Sequence, residues 1–374
     1  MRVALIGGGT AGHLAPGVAV AEALQAVGPD AELLLVAANR DLDHQLLDGS
    51  DWPHCFIDAE PFPYRLELGL LTAALAMVRA RRQAHDHLRA FGPDVTIGTG
   101  GYVALAGVPA AHRLGCPIVL HAPDALPDRA SRSLARLADL VTLGYASAQA
   151  YFPRCRTVHT GVPIRRAVLA PTRAEGLARL GLAGDRRTLV VMGGSQGAQR
   201  LNEAVAAALP RLLERGDLQV LHLTGTRQFE AVHAATAGFG PEAGYHPVAY
   251  LGEMGLVLAA ADLVVSRAGA NSTAEIMARG VPAVLVPYPH AGGHQRLNAL
   301  PFAEAGAAVM VGNEELDGER LVSLVAELLG DPARLAAMQA QCVAMGRPQA
   351  AEEVARLALQ LAADPKANSA LRGN

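Results

Sequence analysis

Short apolar runs followed by glycine-rich turns recur along the chain, and each turn leads into a stretch with helical spacing. Residues 2–6 form such a run, and a helix is predicted from about Pro16 to Val27. The same order returns at residues 188–192, with a helix predicted over 201–213. Uninterrupted apolar runs that alternate with helices are typical of buried parallel strands. The pattern therefore predicts an α/β chain with two doubly wound parallel sheets.

The length of 374 residues fits two domains better than one hydrophobic core. We predict an N-terminal domain over residues 1–162 and a C-terminal domain over 163–345, with a last helix at about 346–363 that can pack back on the first domain. Further strands are predicted at residues 32–36, 94–97, 117–121, 140–143, 219–223, 263–265 and 283–286.

Composition narrows the classes of function. The chain is 51% hydrophobic and 18% charged, with 39 glycines, as in a turn-rich globular protein. A formal net charge of −3 argues against a nucleic-acid partner. The four cysteines lie far apart, which fits a reducing cytoplasm and argues against a zinc site or a disulfide framework. No secretory signal is visible, and the longest apolar run, residues 68–78, is too short to span a bilayer.

One amphipathic segment, residues 62–90, combines leucines with a basic stretch. One interpretation is a helix that packs on the core and exposes a basic face. The other is an apolar patch, ringed by arginine, that docks on an anionic membrane surface. The residues concerned are Leu66, Leu68, Leu70, Leu71, Leu75, Arg79, Arg81, Arg82 and Arg89.

Two glycine-rich turns follow predicted strands of the first domain. Gly7, Gly9 and Gly12 have the G-x-G-x-x-G spacing of a dinucleotide site, although that fingerprint alone is weak. The second strand lacks the acidic residue that would hold a ribose, and Arg40 after it would instead suit the 2′-phosphate of NADP. A second turn, residues 98–102, lies where open α/β sheets bind ligands. Together the turns predict a site for an anion such as a diphosphate.

Residues 262–299 carry the most candidate chemistry. Ser272 and Thr273 precede Glu275 at the spacing of a capping box, which is one interpretation. The other is a helix N-terminus that binds phosphate, with Glu275 accepting hydrogen bonds from a ribose. Such a site would hold a nucleoside diphosphate sugar without a metal. The side chains expected to reach the sugar are His294 and Gln295.

An ordered set of motifs, from residue 7 to about residue 308, resembles that of the MurG family of glycosyltransferases. That family adds N-acetylglucosamine to lipid-linked muramoyl-pentapeptide. Each motif alone is weak, but the ordered set is specific. The matching stretches are residues 7–13, 98–103, 193–198 with Asn202, 267–275, and 286–290 with Gln295, Asn298 and Ala299.

The resemblance implies a GT-B fold, in which two Rossmann-like domains have a cleft between them. It implies an inverting transfer of N-acetylglucosamine from UDP-GlcNAc to the C4 hydroxyl of MurNAc in undecaprenyl-diphospho-MurNAc-pentapeptide, during peptidoglycan synthesis. The C-terminal domain is then expected to bind UDP-GlcNAc and the N-terminal domain the lipid acceptor, with no metal or other cofactor. A peripheral location on the cytoplasmic face of the cell membrane follows, with an anionic membrane surface as a further partner.

The family's residue roles carry over to matching positions. Arg165, Ser195 and residues 270–275 would hold the diphosphate and ribose, and the Leu251 backbone would meet uracil. The implied donor-binding residues are Thr10, Ala11, Gly12, Asp124, Arg165, Ser195, Leu251, Ala270, Asn271, Ser272, Thr273, Glu275, His294 and Gln295. The implied acceptor-binding residues are Gly9, Gly100, Gly101 and Tyr102.

The attacking hydroxyl needs a proton acceptor, and His13, with an ordinary pKa of about 6.5, is a sensible catalytic base. One departure from the family bears on this assignment. After the strand ending at His121 the family usually has Glu-Gln-Asn, whereas this chain has Ala122, Pro123 and Asp124. Asp124 could replace the asparagine as an acceptor or serve as the base itself. The change could instead mark an altered acceptor.

Three other functions stay open. Another GT-B transferase would use a UDP- or dTDP-sugar with a different acceptor. An NADP-dependent oxidoreductase would bind NADPH at the first glycine turn, but it would leave the motifs of the second domain unused. A silent scaffold would keep the nucleotide site and turn nothing over.

Overall fold

The computed structural model describes residues 1–48, 50–60, 69–194, 196–289 and 293–363. The chain divides into two compact units, residues 1–165 together with the chain from Pro348 onward, and residues 166–347. Each unit contains one wholly parallel sheet, of seven strands in the first and six in the second. The prediction of two doubly wound parallel-sheet domains is confirmed.

The sheet of the first unit has the strand order β3-β2-β1-β4-β5-β6-β7, so the chain winds outward from β1 in both directions. The strands are β1 Arg2–Gly7, β2 Glu32–Ala38, β3 His54–Ile57, β4 Val95–Gly100, β5 Ile118–Ala122, β6 Leu140–Leu143 and β7 Thr157–His159. The helices are α1 Ala11–Val27, α2 Asp41–Leu47, α3 Gly69–Phe91, α4 Gly101–Arg113 and α5 Arg129–Leu134, with 3-10 turns at Ala135–Leu137 and Ala146–Tyr151.

The second unit repeats this winding with the strand order β10-β9-β8-β11-β12-β13. Its strands are β8 Arg187–Met192, β9 Leu218–Leu223, β10 Tyr245–Val248, β11 Leu263–Ser266, β12 Ala283–Leu285 and β13 Ala308–Met310. Its helices are α6 Arg166–Leu169, α7 Arg173–Leu180, α8 Gln199–Leu213, α9 Phe229–Ala235, α10 Met254–Ala260, α11 Ala270–Ala278, α12 His294–Glu304, α13 Gly318–Gly330 and α14 Pro332–Met345. 3-10 turns lie at Pro241–Ala243 and Asn313–Glu315.

The last helix, α15 Ala350–Ala363, packs against α1 in the first unit. Successive side chains of β1 point to opposite faces of the sheet and so enter two different cores. Leu5 packs in the core that includes Leu24 of α1 and Val354 of α15, whereas Ile6 packs in the core that includes Met77 of α3. Both faces of the sheet are therefore covered by helices.

Two helices begin earlier than the sequence predicts. The helix predicted from about Pro16 starts at Ala11, because the amides of His13 and Leu14 already donate to the Thr10 carbonyl. The predicted capping box is wrong: α11 starts at Ala270 with Gly269 as N-cap, so Ser272 already lies inside the helix. Glycine has no side chain to cap with, which leaves the helix N-terminus open.

No helix in the described part of the chain combines the length and the apolar character needed to cross a membrane.

Candidate functional site

Two glycine turns lie side by side at one edge of the first unit. They follow β1 and β4, which are neighbours in the sheet, with Gly7 paired to Gly100. Helices α1 and α4 begin directly after these turns. The carboxyl ends of parallel strands are where α/β sheets place their ligand sites.

A buried carboxylate holds the first of these turns. The amides of Gly9 and Ala38 both donate to Asp43 Oδ2, at 2.7 and 2.9 Å. Asp43 belongs to α2 and is fully buried. A Cβ on Gly8 would lie 2.3 Å from the same oxygen, so this approach requires glycine. The chain's own negative charge thus occupies the place where a dinucleotide site would bind phosphate, and like charges repel.

His13 lies in the first turn of α1, between the two glycine turns. Its Nδ1 is 2.8 Å from Thr10 Oγ1, and its backbone carbonyl accepts a hydrogen bond from the Thr99 hydroxyl at 2.7 Å. A Cβ on Gly100 would lie 2.8 Å from His13 Cδ2, so the imidazole packs directly on the second turn. His13 and Gly100 are far apart in the sequence, and they lie near one another because β1 and β4 are adjacent strands of the sheet.

Burial lowers the pKa of His13 below its ordinary value. The negative charges of Asp128, Asp124 and Asp43 oppose that shift, in decreasing order. Asp124 is half-buried after β5, and Asp128 caps α5 by accepting from the Ser131 amide at 2.6 Å. The imidazole is therefore neutral at neutral pH and can accept a proton, with carboxylates nearby to stabilise the resulting cation.

Tyr102 of α4 covers the first glycine turn. A Cβ on Gly9 would lie 2.0 Å from the tyrosine ring, and the Arg40 guanidinium lies over that ring at 5.3 Å. Arg40 thus contacts an aromatic side chain at the position where the sequence suggested a 2′-phosphate. Burial raises the pKa of the Tyr102 hydroxyl.

The corresponding edge of the second unit contains an open cavity of about 600 Å³. Glycines of the turn after β8, the start of α11 and the loops after β9, β12 and β13 form its wall. The lining residues are Gly193, Gly194, Gly197, Ala198, Gln199, Arg200, Glu203, Gln228, Ser266, Arg267, Gly269, Ser272, Tyr288, Pro289, Gln295, Asn313 and Glu314.

Two helix N-termini border this cavity. Helices α8 and α11 follow the adjacent strands β8 and β11, and their N-cap residues Ala198 and Gly269 make no side-chain cap hydrogen bond. The first amides of a helix have no acceptor within that helix, and together with the positive ends of both helix dipoles they favour an anion here. The backbone approach is tight, since a Cβ on Gly197 would lie 2.3 Å from the Thr224 carbonyl oxygen.

Arg267 supplies a positive charge in the same cavity. Its Nη1 donates to the carbonyls of Val286 and Pro287 at 3.1 and 3.4 Å, and its guanidinium lies over the Tyr288 ring at 5.7 Å. Burial lowers the pKa of Arg267, but a guanidinium stays protonated in proteins. Gln295 Oε1 accepts from the amide of Tyr288 at 3.0 Å, which fixes the loop beside the arginine.

Family models account for both halves of the chain. The model of the glycosyltransferase family 28 N-terminal domain matches residues 3–143, and that of its C-terminal domain matches residues 188–354. The chain belongs to glycosyltransferase family 28.

Relatives within family 28 match over almost the whole chain. The UDP-N-acetylglucosamine–N-acetylmuramyl-(pentapeptide) pyrophosphoryl-undecaprenol N-acetylglucosamine transferase of Acidothermus cellulolyticus is 42% identical over 368 residues, covering 97% of this chain and 98% of the relative. The protein of the same name from Halothermothrix orenii is 38% identical over 358 residues, covering 94% and 96%.

Solved structures give the same result. Acinetobacter baumannii MurG has a TM-score of 0.72 at 28% identity, covering 96% of this chain and 99% of that one. A putative UDP-N-acetylglucosamine 2-epimerase from Listeria monocytogenes has a TM-score of 0.70 at 16% identity, covering 94% of each chain, which shows a shared fold alone. The predicted resemblance and the predicted GT-B fold are confirmed.

The predicted donor-binding residues of this family 28 protein are only partly on the cavity wall. Ser272 and Gln295 line it, while Ala270 and Thr273 are buried. The Thr273 hydroxyl donates to the carbonyls of Gly269 and Ala270 at 3.0 Å, within its own helix. Half-buried residues that do not line the cavity are Leu251, Asn271, Glu275 and His294.

The other predicted donor residues lie elsewhere. Ser195 lies outside the described residues. Arg165 ends the first unit, and its Nε is buried with no hydrogen-bond partner in the described part of the chain. Thr10 and Gly12 are exposed beside His13, Ala11 is the first residue of α1, and Asp124 follows β5. The predicted acceptor residues Gly9, Gly100, Gly101 and Tyr102 lie together around the two glycine turns.

Several site residues escaped the sequence analysis. Arg200 lies in the first turn of α8 and Glu203 one turn in, and helical spacing after the glycine turn is a signal that could have found them. Gln228 and Glu314 reach the cavity from loops, so only the sheet topology brings them there. Asp43 also escaped, because an aspartate at the start of a helix is ordinarily a solvent-exposed residue.

Proposed function

We propose that this family 28 protein transfers N-acetylglucosamine from UDP-GlcNAc to the C4 hydroxyl of MurNAc in undecaprenyl-diphospho-MurNAc-pentapeptide, with inversion, as a step of peptidoglycan synthesis. The observation that carries the proposal is the full-length match to transferases named for this reaction, at up to 42% identity. The cavity of the second unit supports it, because two helix N-termini and Arg267 at its wall favour an anion and a nucleotide sugar carries a diphosphate.

The donor is proposed to bind in the second unit. The uncapped N-termini of α8 and α11, with Arg267 beside them, suit a diphosphate that becomes more negative as UDP leaves. Glu275 would accept from the ribose hydroxyls, His294 and Gln295 would contact the sugar, and the Leu251 backbone would meet uracil. Because the protein supplies this positive potential itself, we propose that transfer needs no metal and continues in the presence of EDTA.

The acceptor is proposed to bind in the first unit, with its diphosphate at the turn that includes Gly100 and Gly101. His13 accepts the proton of the attacking hydroxyl. When Nδ1–H donates to Thr10 Oγ1, Nε2 keeps the lone pair that a base needs. Asp124, whose charge acts on His13, stabilises the imidazolium that forms.

The oxidoreductase alternative is not favoured. The Gly9 amide of the first glycine turn already donates a hydrogen bond to Asp43, and the Tyr102 ring covers Gly9. NADPH is therefore expected to produce no saturable fluorescence change, whereas UDP binds.

The deciding experiment is transfer from labelled UDP-GlcNAc to a short-chain lipid I analogue, with and without EDTA. Transfer by the wild-type protein supports the proposal. Tight UDP-GlcNAc binding without transfer would mean that Ala122, Pro123 and Asp124 mark a different acceptor or a silent protein.

We also propose a peripheral location on the cytoplasmic face of the membrane, through α3. Leu75 and Val78 are 67% and 65% exposed, although large apolar side chains are usually buried. Arg81, Arg82 and Arg113 line a cavity of about 360 Å³ together with Val78. An exposed apolar pair beside clustered arginines suits an anionic surface. The part of this segment at residues 62–68 lies outside the described residues.

Vesicle sedimentation tests the membrane proposal. The protein should bind vesicles with anionic lipid more than purely zwitterionic ones, and Arg82→Glu should weaken that binding, each cation near the surface contributing about 1 kcal/mol. Arg211→Glu, an exposed change on α8, is the matched control. Equal losses in both variants would reject α3 as the docking element.

A further inference from the structure

A chain of buried hydrogen bonds ends at the cavity of the second unit. Its members are Tyr245, His222, Asn202 and Gln228, which we call the relay. The first three are almost inaccessible, at 0%, 0% and 3% exposure. Gln228 is half-buried and lines the cavity. The relay therefore connects the core of the unit to its ligand site.

One backbone carbonyl fixes the direction of these bonds. The Thr224 carbonyl can only accept, so the atom of Asn202 that lies 2.9 Å from it is the amide nitrogen. The amide oxygen of Asn202 then faces His222 Nε2 at 3.0 Å, and Nε2 must carry the proton. Nδ1 accepts from the Tyr245 hydroxyl at 2.9 Å. Burial lowers the pKa of His222 to about 4, so the ring is neutral at neutral pH.

The same logic orients Gln228. The Asn202 amide nitrogen lies 2.6 Å from the Gln228 amide oxygen, and because the nitrogen donates, that oxygen is held toward the protein. The Gln228 amide nitrogen is the end left for the cavity. Gln228 Cδ lies 3.4 Å from the place of a Cβ on Gly197, so the amide lies against the glycine turn.

From this geometry we infer that Gln228 donates a hydrogen bond to the diphosphate of the bound nucleotide sugar, with the other three relay members as positioning residues. The inference rests on the proposed function, which supplies the diphosphate. The surroundings favour an anion, since α8 begins at the same turn and both Arg200 and Arg267 line the same cavity. The arginines supply charge, and the amide adds a directional bond to an ionised oxygen.

Gln228→Glu is the sharpest test. A carboxylate still accepts from the Asn202 amide, so the internal bond survives, but its second oxygen brings negative charge where the donor was. We expect the Kd for UDP, measured by calorimetry, to rise at least about tenfold. The Kd for uridine, which has no phosphate, should be unchanged.

Two further variants separate the loss of the hydrogen-bond donor from the effect of adding a negative charge to this loop. Gln228→Ala removes the donor without adding charge and should raise the Kd for UDP about three- to tenfold. Thr226→Glu puts the same charge on the same loop at an exposed residue outside the cavity wall, and UDP binding should stay close to that of the wild type.

The positioning role of Asn202 predicts a distinct pattern of affinities for UDP and uridine. Asn202→Asp has no amide nitrogen to hold the Gln228 oxygen, so the Gln228 amide can turn that oxygen toward the ligand. UDP affinity should fall while uridine affinity holds, and adding Gln228→Ala should cause no further loss. A variant that is only unstable would lose both ligands together.

Unchanged UDP affinity in Gln228→Glu, at a wild-type melting temperature, overturns the inference. A loss confined to UDP-GlcNAc also overturns it, because the amide would then contact the sugar. Wild-type protein that binds neither UDP nor UDP-GlcNAc would instead contradict the proposed function, an outcome that the variants do not influence.

Discussion

The first glycine turn of each unit follows the first strand of its sheet in chain order, yet the surroundings of the two turns differ. After β1, the amide of Gly9 is bonded to Asp43 and the space above it holds the Tyr102 ring. After β8, Gly193, Gly194 and Gly197 border a cavity of about 600 Å³. One turn is filled by the protein's own side chains, and the other is open to a ligand.

A glycine-rich turn therefore shows only where a backbone can be approached closely, and not which group approaches it. A carboxylate on the neighbouring helix converts the first turn into a rigid support for His13. Beside the second turn, the N-termini of α8 and α11, which lack side-chain caps, and Arg267 favour an anion. The same strand–turn–helix unit thus surrounds its glycines with the protein's own side chains in one place and with a cavity in the other.

The largest effect is expected from removing the base that the filled turn supports. His13→Ala should lower kcat by about 100- to 10,000-fold, because the attacking hydroxyl loses its proton acceptor. The Kd for UDP-GlcNAc should be unchanged, because the donor is proposed to bind at the open turn of the second unit. Steady-state kinetics and calorimetry measure the two. Near-normal turnover in His13→Ala, with a large loss in Asp124→Ala, would assign the base to Asp124.

Next in size is the loss of the carboxylate itself. Asp43→Ala leaves two buried amides without an acceptor and should lower the free energy of unfolding by about 3 kcal/mol, as measured by urea denaturation. Glu203→Ala, at an exposed residue of α8 beside the open turn, should cost less than about 0.5 kcal/mol. A similar loss in the free energy of unfolding in both variants would mean that Asp43 does not stabilise the first turn.

A change in α11, whose N-terminus lies at the same cavity, should affect the donor alone. Glu275→Ala is expected to weaken UDP-GlcNAc binding by about 1–3 kcal/mol, because ribose hydroxyls lose a charged partner. Glu253→Ala, an exposed carboxylate paired with Arg179, is the control and should leave calorimetric affinity unchanged. Donor affinity unaffected by Glu275→Ala would reject the ribose assignment.

The most gradual effect is the pH dependence of stability, which both units should share. Burial lowers the pKa of His121 to about 3 in the first unit and that of His222 to about 4 in the second. Below about pH 6.5 these histidines are protonated in the unfolded chain but stay neutral in the folded chain. The free energy of unfolding therefore falls as the pH decreases from about 6.5 toward the pKa values of the folded state. Each histidine should contribute up to about 1.4 kcal/mol per pH unit.

Melting curves between pH 8 and pH 5 measure this dependence. His222→Gln should flatten it, while His87→Gln, at an exposed residue, should not. Identical pH dependence in all three proteins would mean that His222 is not held neutral by burial.

Local sequence patterns predict the two parallel sheets and the order of their elements. Apolar runs such as Leu140–Leu143 are too uniform to face water, and glycines after them allow the tight turns into helices. They also place His13 and Tyr102 at turns, because both follow glycines directly. The start of α11 was predicted wrongly. Ser272 and Glu275 have the spacing of a capping box, but both lie inside the helix, whose N-cap is Gly269.

Which turn is filled and which borders a cavity depends on long-range contacts in the folded chain. Asp43 is 34 positions from Gly9, and Gln228 is 26 positions from Asn202. Neither separation corresponds to a helical or strand period, so no local pattern marks these pairs. The sheet order brings them together, and the orientation of the Gln228 amide depends on a single backbone carbonyl. Contacts between chain segments that are distant in sequence, and not composition, therefore set the chemistry of each turn.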